Sequence, residues 1–310
     1  MSSIITITLN PAIDKSSTVA ELVPDKKMKC SNPVFEPGGG GVNVARAIHK
    51  LGGIAKAIYL AGGYAGKFFT ELLNSEKIES IVIEISNHTR ENLIVLDKKN
   101  NRQYRFGMPG PTIKEREWKQ LINEIEKNKD ISYIVASGTV PSGVPKDIFA
   151  RISAIAKKKN AKFIVDTSGE PLKEALNAGV YLVKPNLGEL SFLTGKEWIG
   201  TDEAEMTAKQ IIHENKCEIV VVSLGEEGAL LVTATDATII KPPPVERKST
   251  VGAGDSMVAG IVVSLSKGSS LLEAVQYGVA CGTAATMNPG TELCHKEDAD
   301  KLFESIAAEN

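Results

Sequence analysis

Four short stretches of this 310-residue chain set groups able to bind anions or move protons beside glycine or proline. In Val251-Gly-Ala-Gly-Asp255 two glycines and a carboxylate open an apolar run. Backbone N–H groups at a helix start lack intrahelical partners and form an anion hole without a side-chain cation. Asp255 then has two readings, as a first-turn cap or as a general base beside the bound anion. The stretch is not a P-loop, since no Gly-Lys-Ser/Thr closes it, and Met257 stands where a dinucleotide fingerprint needs its third glycine. In Glu36-Pro-Gly-Gly-Gly-Gly-Val-Asn43 the glycines remove every Cβ, which allows close approach by a ligand. Asn43 projects from the start of a helix whose apolar face is Val42, Ala45, Ile48 and Leu51. Thr8-Leu-Asn-Pro-Ala-Ile-Asp14 presents Asp14 just past the first strand. In Lys184-Pro-Asn-Leu-Gly-Glu189, Pro185 holds Lys184 extended and Asn186 can cap the following helix, with Glu189 one turn on. That spacing is also a capping box, so structural and ligand-binding readings both stand.

The elements that position these residues alternate. β-branched apolar runs at 4–9, 55–61, 133–138, 163–168, 181–186 and 218–225 are separated by helix-length segments such as 113–128, 145–159 and 202–215. Strands divided by helices make βαβ units and a mainly parallel sheet covered on both faces, with ligands at the strand carboxyl ends. Residues about 12–34 and 79–108 break the rhythm. Ser80-Ile-Val-Ile-Glu-Ile-Ser86, Glu91-Asn-Leu-Ile-Val-Leu-Asp97 and Gln103-Tyr-Arg-Phe-Gly-Met108 follow one another with only turn residues between, which predicts a small antiparallel sheet built from two insertions. Such an appendage serves as a lid or as a dimer surface. Helices are expected over 255–267, 270–286 and 296–308, and Lys241-Pro-Pro-Pro-Val245 reads as a rigid extended bend.

With 36 basic and 38 acidic residues the chain has no broad attraction for nucleic acid or anionic membranes, so phosphate binding must be local. Cys30, Cys217, Cys281 and Cys294 have no C-x-x-C spacing, which argues against a zinc site or a disulfide framework. The start, Met1-Ser-Ser-Ile-Ile, carries no basic segment before its apolar run, and no stretch reaches the ~18 apolar residues of a membrane span. A reduced, cytoplasmic protein is expected.

Pro37-Gly-Gly-Gly-Gly-Val-Asn-Val-Ala-Arg-Ala47, Lys184-Pro-Asn-Leu-Gly-Glu-Leu190, Val221-Val-Ser-Leu-Gly-Glu-Glu-Gly-Ala229 and Ser249-Thr-Val-Gly-Ala-Gly-Asp-Ser-Met-Val-Ala-Gly260, in this order, resemble the PfkB (ribokinase-like) family of carbohydrate kinases over essentially the whole chain. The resemblance implies one ribokinase-like domain over 1–310: a Rossmann-type, mainly parallel sheet flanked by helices, with a small β lid. Ser137-Gly-Thr-Val-Pro-Ser-Gly-Val144 and the Pro-Pro-Pro-Val run are similar to the branch that acts on phosphorylated hexoses. The implied reaction is transfer from ATP to the 1-hydroxyl of fructose 6-phosphate, giving fructose 1,6-bisphosphate, with tagatose 6-phosphate or fructose 1-phosphate as alternative acceptors. Thr8-Leu-Asn-Pro11 is more usual in the branches that use those alternatives.

On this resemblance Asp255 is the catalytic base, and the backbone of Gly252, Ala253, Gly254 and Asp255 holds the transferred phosphoryl. Asp14, Gly39, Gly40, Asn43 and Thr139 meet the sugar, and Arg90, Arg105 and Lys27 its phosphate, Arg suiting bidentate contacts. Were the lid a homodimer interface, Lys27 would serve the neighbouring subunit. Lys184, Asn186, Ser223, Gly225, Glu226, Glu227, Gly228 and Asn288 are the expected ATP contacts. Glu189 would organise Mg²⁺ through water, and Ser249, Val251, Ala285, Asn288 and Gly290 match a monovalent-cation (K⁺) site. Two remoter readings are a nicotinamide-dependent dehydrogenase, which lacks its Gly-x-Gly-x-x-Gly after the first strand, and a non-catalytic sugar-phosphate sensor, against which Asp255 argues.

Overall fold

The computed structural model describes residues 3–309; Met1 and Ser2, part of the amino-terminal reading, lie outside the described residues, as does Asn310. The strands are β1 (Ser3–Thr8), β2 (Ala12–Val19), β3 (Val34–Gly38), β4 (Lys56–Ala61), β5 (Ser80–Glu84), β6 (Arg90–Asp97), β7 (Arg102–Phe106), β8 (Ile131–Ser137), β9 (Lys162–Asp166), β10 (Val180–Val183), β11 (Cys217–Ser223), β12 (Ala229–Val232) and β13 (Ala237–Ile240). The helices are α1 (Gly40–Lys50), α2 (Gly63–Ser75), α3 (Glu115–Lys127), α4 (Ile148–Lys158), α5 (Gly169–Ala178), α6 (Leu187–Thr194), α7 (Thr201–His213), α8 (Ala253–Ser266), α9 (Leu271–Thr286) and α10 (Lys296–Glu309).

Nine strands form the main sheet in the order β13-β12-β11-β10-β9-β8-β1-β4-β5. From β11 to β5 every pairing is parallel, as βαβ crossovers require. At the far edge β12 and β13 return antiparallel, because the Gly225–Glu227 turn is too short to hold a crossover helix. One apolar cluster packs α1, α8 and α9 on one face, around Val42, Ile48, Val258 and Val279. The other packs α3, α4, α5 and α7 on the opposite face, around Leu121, Phe149, Leu172 and Ile211. β1 lies between β8 and β4, so the strand order runs outward from it in both directions. The crevice at the carboxyl ends of β1 and β8 is therefore the topological switch point where an open α/β sheet takes its ligand.

The second sheet, in the order β3-β2-β6-β7, is the small sheet expected from the insertions, with two corrections. Residues 80–84 do not belong to it: β5 pairs in parallel with β4 at the edge of the main sheet, so the second insertion begins near Arg90. The lid is also not wholly antiparallel, since β2 and β6 run parallel over Ala12–Val19 and Arg90–Asp97, while β3 and β7 pair antiparallel on either side. That parallel pairing is possible because β2 and β6 are joined through α1, β4, α2 and β5. It places the start of both strands, Ala12–Asp14 and Arg90–Asn92, at the mouth of the crevice.

Candidate active site

Gly252 sits in the left-handed region at φ 73° and ends the loop into α8. A Cβ there would lie 2.4 Å from Leu293, so glycine is required for two reasons. The first helical bond is Ser256 N–H to the Gly252 carbonyl, which leaves the N–H groups of Ala253, Gly254 and Asp255 ahead of the ladder as the anion hole. Asp255 does not cap its helix. Its Oδ2 accepts from Asn43 Nδ2 at 3.0 Å and its Oδ1 from Ser137 Oγ at 3.2 Å. Burial pushes its carboxyl up to about 6 and the Asp166 carboxylate adds to the rise, while Asn43, Lys184 and Ser137 pull it back. A carboxylate so poised suits a proton acceptor near neutrality.

Asn43 is held in turn. Arg46, 3% exposed, donates to the Pro37 carbonyl at 2.9 Å and faces Asn43 Oδ1 at 3.5 Å, and it is bridged by Glu76 at 2.7 Å with Glu36 at 3.7 Å. The glycine run also has a task within the protein. A Cβ on Gly38 would lie 2.2 Å from Asp14 Oδ2, on Gly40 2.2 Å from Ser137 Oγ, and on Gly41 2.2 Å from the Ile7 carbonyl. These glycines let α1 dock on the ends of β1 and β8 and on Asp14; the close approach is to the protein itself.

On the lid side Asp14 accepts from Asn92 at 2.8 Å. Burial raises its carboxyl above the ordinary value, against Asn92 and Arg90, which lower it. Arg90 donates to the carbonyls of Asn10 and Met108, both at 3.1 Å, and Thr139, exposed to the crevice, bonds Asn10. The structure does not bring Arg105 or Lys27 to this group: Arg105 lies exposed on β7 against Gln103, and Lys27 is exposed in the loop between β2 and β3.

Beyond α8 opens a cavity of about 590 Å³ lined by Asn186, Ser223, Gly225, Glu226 and Gly228, all expected there, together with Ala253 and Gly254. Its apolar wall was missed from sequence: Pro242, Pro243, Pro244 and Val245 on one side, and Met257, Val279, Gly282, Thr283 and Thr286 on the other. Its local sequence shows the proline run as a rigid bend; that it faces α9 across a cavity depends on β13. Glu227 is exposed outside the lining. The Asn288 amide is engaged by the Leu293 carbonyl at 2.8 Å.

Lys184 is buried beside the anion hole, 3.3 Å from Asp166 Oδ1; a Cβ on Gly254 would lie 3.3 Å from its Nζ. Burial alone would lower its pKa, but the Asp166, Glu189 and Asp255 carboxylates outweigh this and hold it above the ordinary value. Asn186 and Glu189 do form the capping box, each side chain bonding the other's backbone N–H at 2.9 Å. Glu189 is raised by burial and by Asp166, against the Asn186 N–H and Lys184. Three carboxylates around one ammonium leave negative charge uncompensated, which fits a hydrated Mg²⁺ arriving with nucleotide phosphates. The expected monovalent-cation residues adjoin one another: Ser249 Oγ donates to the Gly290 carbonyl at 2.8 Å and accepts from Val251 N–H at 3.2 Å, and Asn288 N–H meets the Ala285 carbonyl at 3.3 Å. Neutral oxygens of this kind suit a monovalent ion better than Mg²⁺.

A buried carboxylate, a helix start with unpaired N–H groups and a buried lysine, set between a cavity of about 590 Å³ and a polar crevice, are the parts a phosphotransferase site on an α/β fold uses. Residues 4–298 match the pfkB family carbohydrate kinase pattern, and the chain belongs to that family. It is 43% identical to the ATP-dependent 6-phosphofructokinase isozyme 2 of Escherichia coli over 304 residues, 98% of each chain. The solved structure of phosphofructokinase-2 from Escherichia coli in complex with potassium superposes with TM-score 0.95 at 42% identity, covering 99% of this chain and 100% of that one. The same enzyme in complex with fructose-6-phosphate superposes with TM-score 0.93 at 40% identity and the same coverage.

Proposed function

We propose that this protein transfers the γ-phosphoryl group of ATP to the 1-hydroxyl of fructose 6-phosphate. The observation that carries the reading is the position of Asp255. Its carboxylate is held on the sugar side by Asn43 and Ser137, while its chain neighbours Ala253 and Gly254 line the nucleotide cavity. Asp255 takes the 1-hydroxyl proton, the alkoxide oxygen attacks the γ-phosphorus, and the bond to the ADP oxygen breaks. The N–H groups of Gly252–Asp255 and Lys184 hold the charge as it spreads over the transferred oxygens; general-base assistance is worth roughly 10²- to 10⁴-fold and electrostatic positioning much of the rest. Mg²⁺, organised near Glu189 through water, would neutralise phosphate charge. A monovalent ion at Ser249, Val251, Ala285, Asn288 and Gly290 would brace the loop before α8.

Asp14, Gly39, Gly40, Asn43, Thr139 and Arg90 form the sugar side of this reading. Arg105 and Lys27, remote from that group within one chain, contribute from a second copy docked on the lid sheet. Support for a homodimer there comes from Val34, Phe106 and Met108, which the lid leaves 58%, 46% and 45% exposed. The reading takes 1–310 as one catalytic domain in the cytoplasm; among the described residues no helix is long and apolar enough to cross a membrane.

An ATP-coupled assay with fructose 6-phosphate, tagatose 6-phosphate and fructose 1-phosphate tests the acceptor; a higher kcat/KM on either of the latter two replaces it. Asp255→Asn separates a kinase from a sensor. Turnover should vanish with sugar binding retained, and unchanged turnover would refute the base assignment.

A further inference from the structure

Asn10 follows β1 in the Thr8-Leu-Asn-Pro11 stretch and touches both Arg90 and Thr139, but has been given no role of its own. Its side chain is 8% exposed and donates from Nδ2 to Thr139 Oγ1 at 2.9 Å across 129 residues of sequence. Its own backbone carbonyl accepts from Arg90 Nη2 at 3.1 Å. Two polar atoms of this cluster, Asn10 Oδ1 and Arg90 Nε, are buried without a partner among the described residues. The carbonyl end of the amide points at Gly110, where a Cβ would come within 2.2 Å of Oδ1. Buried polar atoms rarely stay unpaired, and an orphaned carbonyl is tolerated better than an orphaned N–H. The amide is therefore turned to give its N–H to Thr139.

The direction of that bond has a chemical consequence. A hydroxyl has one proton to donate and lone pairs to accept with. Because Asn10 fills an acceptor position on Thr139 Oγ1, the Thr139 proton is free to point into the crevice, where it can serve only an acceptor. Beside it the Arg90 guanidinium, anchored on two carbonyls, keeps further N–H donors. At Thr139 and Arg90 the crevice wall thus presents donors, while the neighbouring Asp14 carboxylate is engaged by Asn92, an arrangement that favours an anion over a neutral hydroxyl at this spot. We propose that Asn10 is a positioning residue that fixes Thr139 as a hydrogen-bond donor to the phosphate of the acceptor sugar, and so sets the preference for phosphorylated over unphosphorylated acceptors.

This rests on the sugar-kinase reading above, and the test separates the two. Sugar phosphate, unphosphorylated fructose and inorganic phosphate are titrated calorimetrically into wild type, Asn10→Ala, Asn10→Asp, Thr139→Ala and Asn10→Ala/Thr139→Ala, with steady-state kinetics in parallel. Asn10→Asp reverses the bond: the carboxylate takes the Thr139 proton. We expect its Kd and KM for sugar phosphate to rise at least about tenfold, and those of Asn10→Ala about fivefold, as loss of a hydrogen bond implies. ATP KM and fructose binding should stay within about twofold, and Asn10→Ala should add almost nothing in the Thr139→Ala background. Sugar-phosphate affinity in Asn10→Asp within about twofold of wild type, or independent multiplying effects of Asn10→Ala and Thr139→Ala, would overturn the proposal. If Asn10→Asp does not fold, the Ala cycle decides alone. Wild type that binds sugar phosphate without turning it over sinks the kinase reading only; wild type that binds none of the anions sinks both.

Discussion

Ser137 offers the sharpest quantitative test of the catalytic geometry. It is 5% exposed at the end of β8, and its hydroxyl donates to Asp255 Oδ1 at 3.2 Å, one of the interactions that hold the Asp255 carboxyl down against burial and Asp166. Ser137→Ala removes that donor without adding bulk. A hydrogen bond to a charged group is worth about 1.5–3 kcal/mol, and one pKa unit corresponds to 1.36 kcal/mol, so complete loss would raise the carboxyl by about one to two units. Water entering from the crevice recovers part of this, which puts the expected rise near one unit, from about 6 to about 7. The acid limb of kcat/KM against pH reports the free enzyme's base. It should move upward by that amount, and the active fraction at pH 7 should fall from about nine-tenths to about half. The assay is coupled ADP release between about pH 5 and 9 at subsaturating sugar phosphate, with circular dichroism to verify folding. A folded variant whose acid limb stays within about 0.3 unit of wild type would show that Ser137 does not tune Asp255, and the two-donor account of the base would fail.

Asp255→Asn should also stabilise the fold at alkaline pH. Its folded pKa of about 6 lies above the unfolded 3.8, so the folded state binds the proton more tightly and stability is lost as pH rises through that window. The ceiling is about 3 kcal/mol, and since the carboxyl opens onto the crevice about 1–2 is expected; thermal melts should show a gain at pH 8 that disappears near pH 4, and equal melts at both values would refute it. Gly38→Ala drives a methyl to 2.2 Å from Asp14 Oδ2, so sugar-phosphate KM should rise more than about tenfold with ATP KM unchanged, as expected where a positioned group is displaced; initial-rate kinetics in each substrate check it. Arg46→Met removes the buried cation from Glu76 and Glu36, which stay partly open to water, and urea unfolding should show a loss of about 1–3 kcal/mol.

The anion hole and its carboxylate were legible from local pattern, because a glycine turn, an acidic residue and an apolar run report the start of a helix without reference to the rest of the chain. Asn43 and Asp14 were legible in the same way, one at a helix start and the other past a strand end, and the alternation of strands and helices carried the parallel sheet. Whether Asp255 caps its helix or faces a substrate was open, since both use the same residue at the same place. The partners that turn its carboxylate away from the helix end, Asn43 and Ser137, lie 212 and 118 residues away in sequence and converge only because β1 and β8 are neighbours at the switch point. Residues 80–84 alternate Ile81 and Ile83 with solvent-facing positions, a period that suits either sheet. Pairing with β4, a long-range event, assigned them to the main one. The proline wall of the nucleotide cavity and the Asn10–Thr139 bond were invisible for the same reason. Sequence periodicity records which face of an element is buried, whereas a site is made where ends of distant elements meet, and those meetings are set by the packing of the whole sheet.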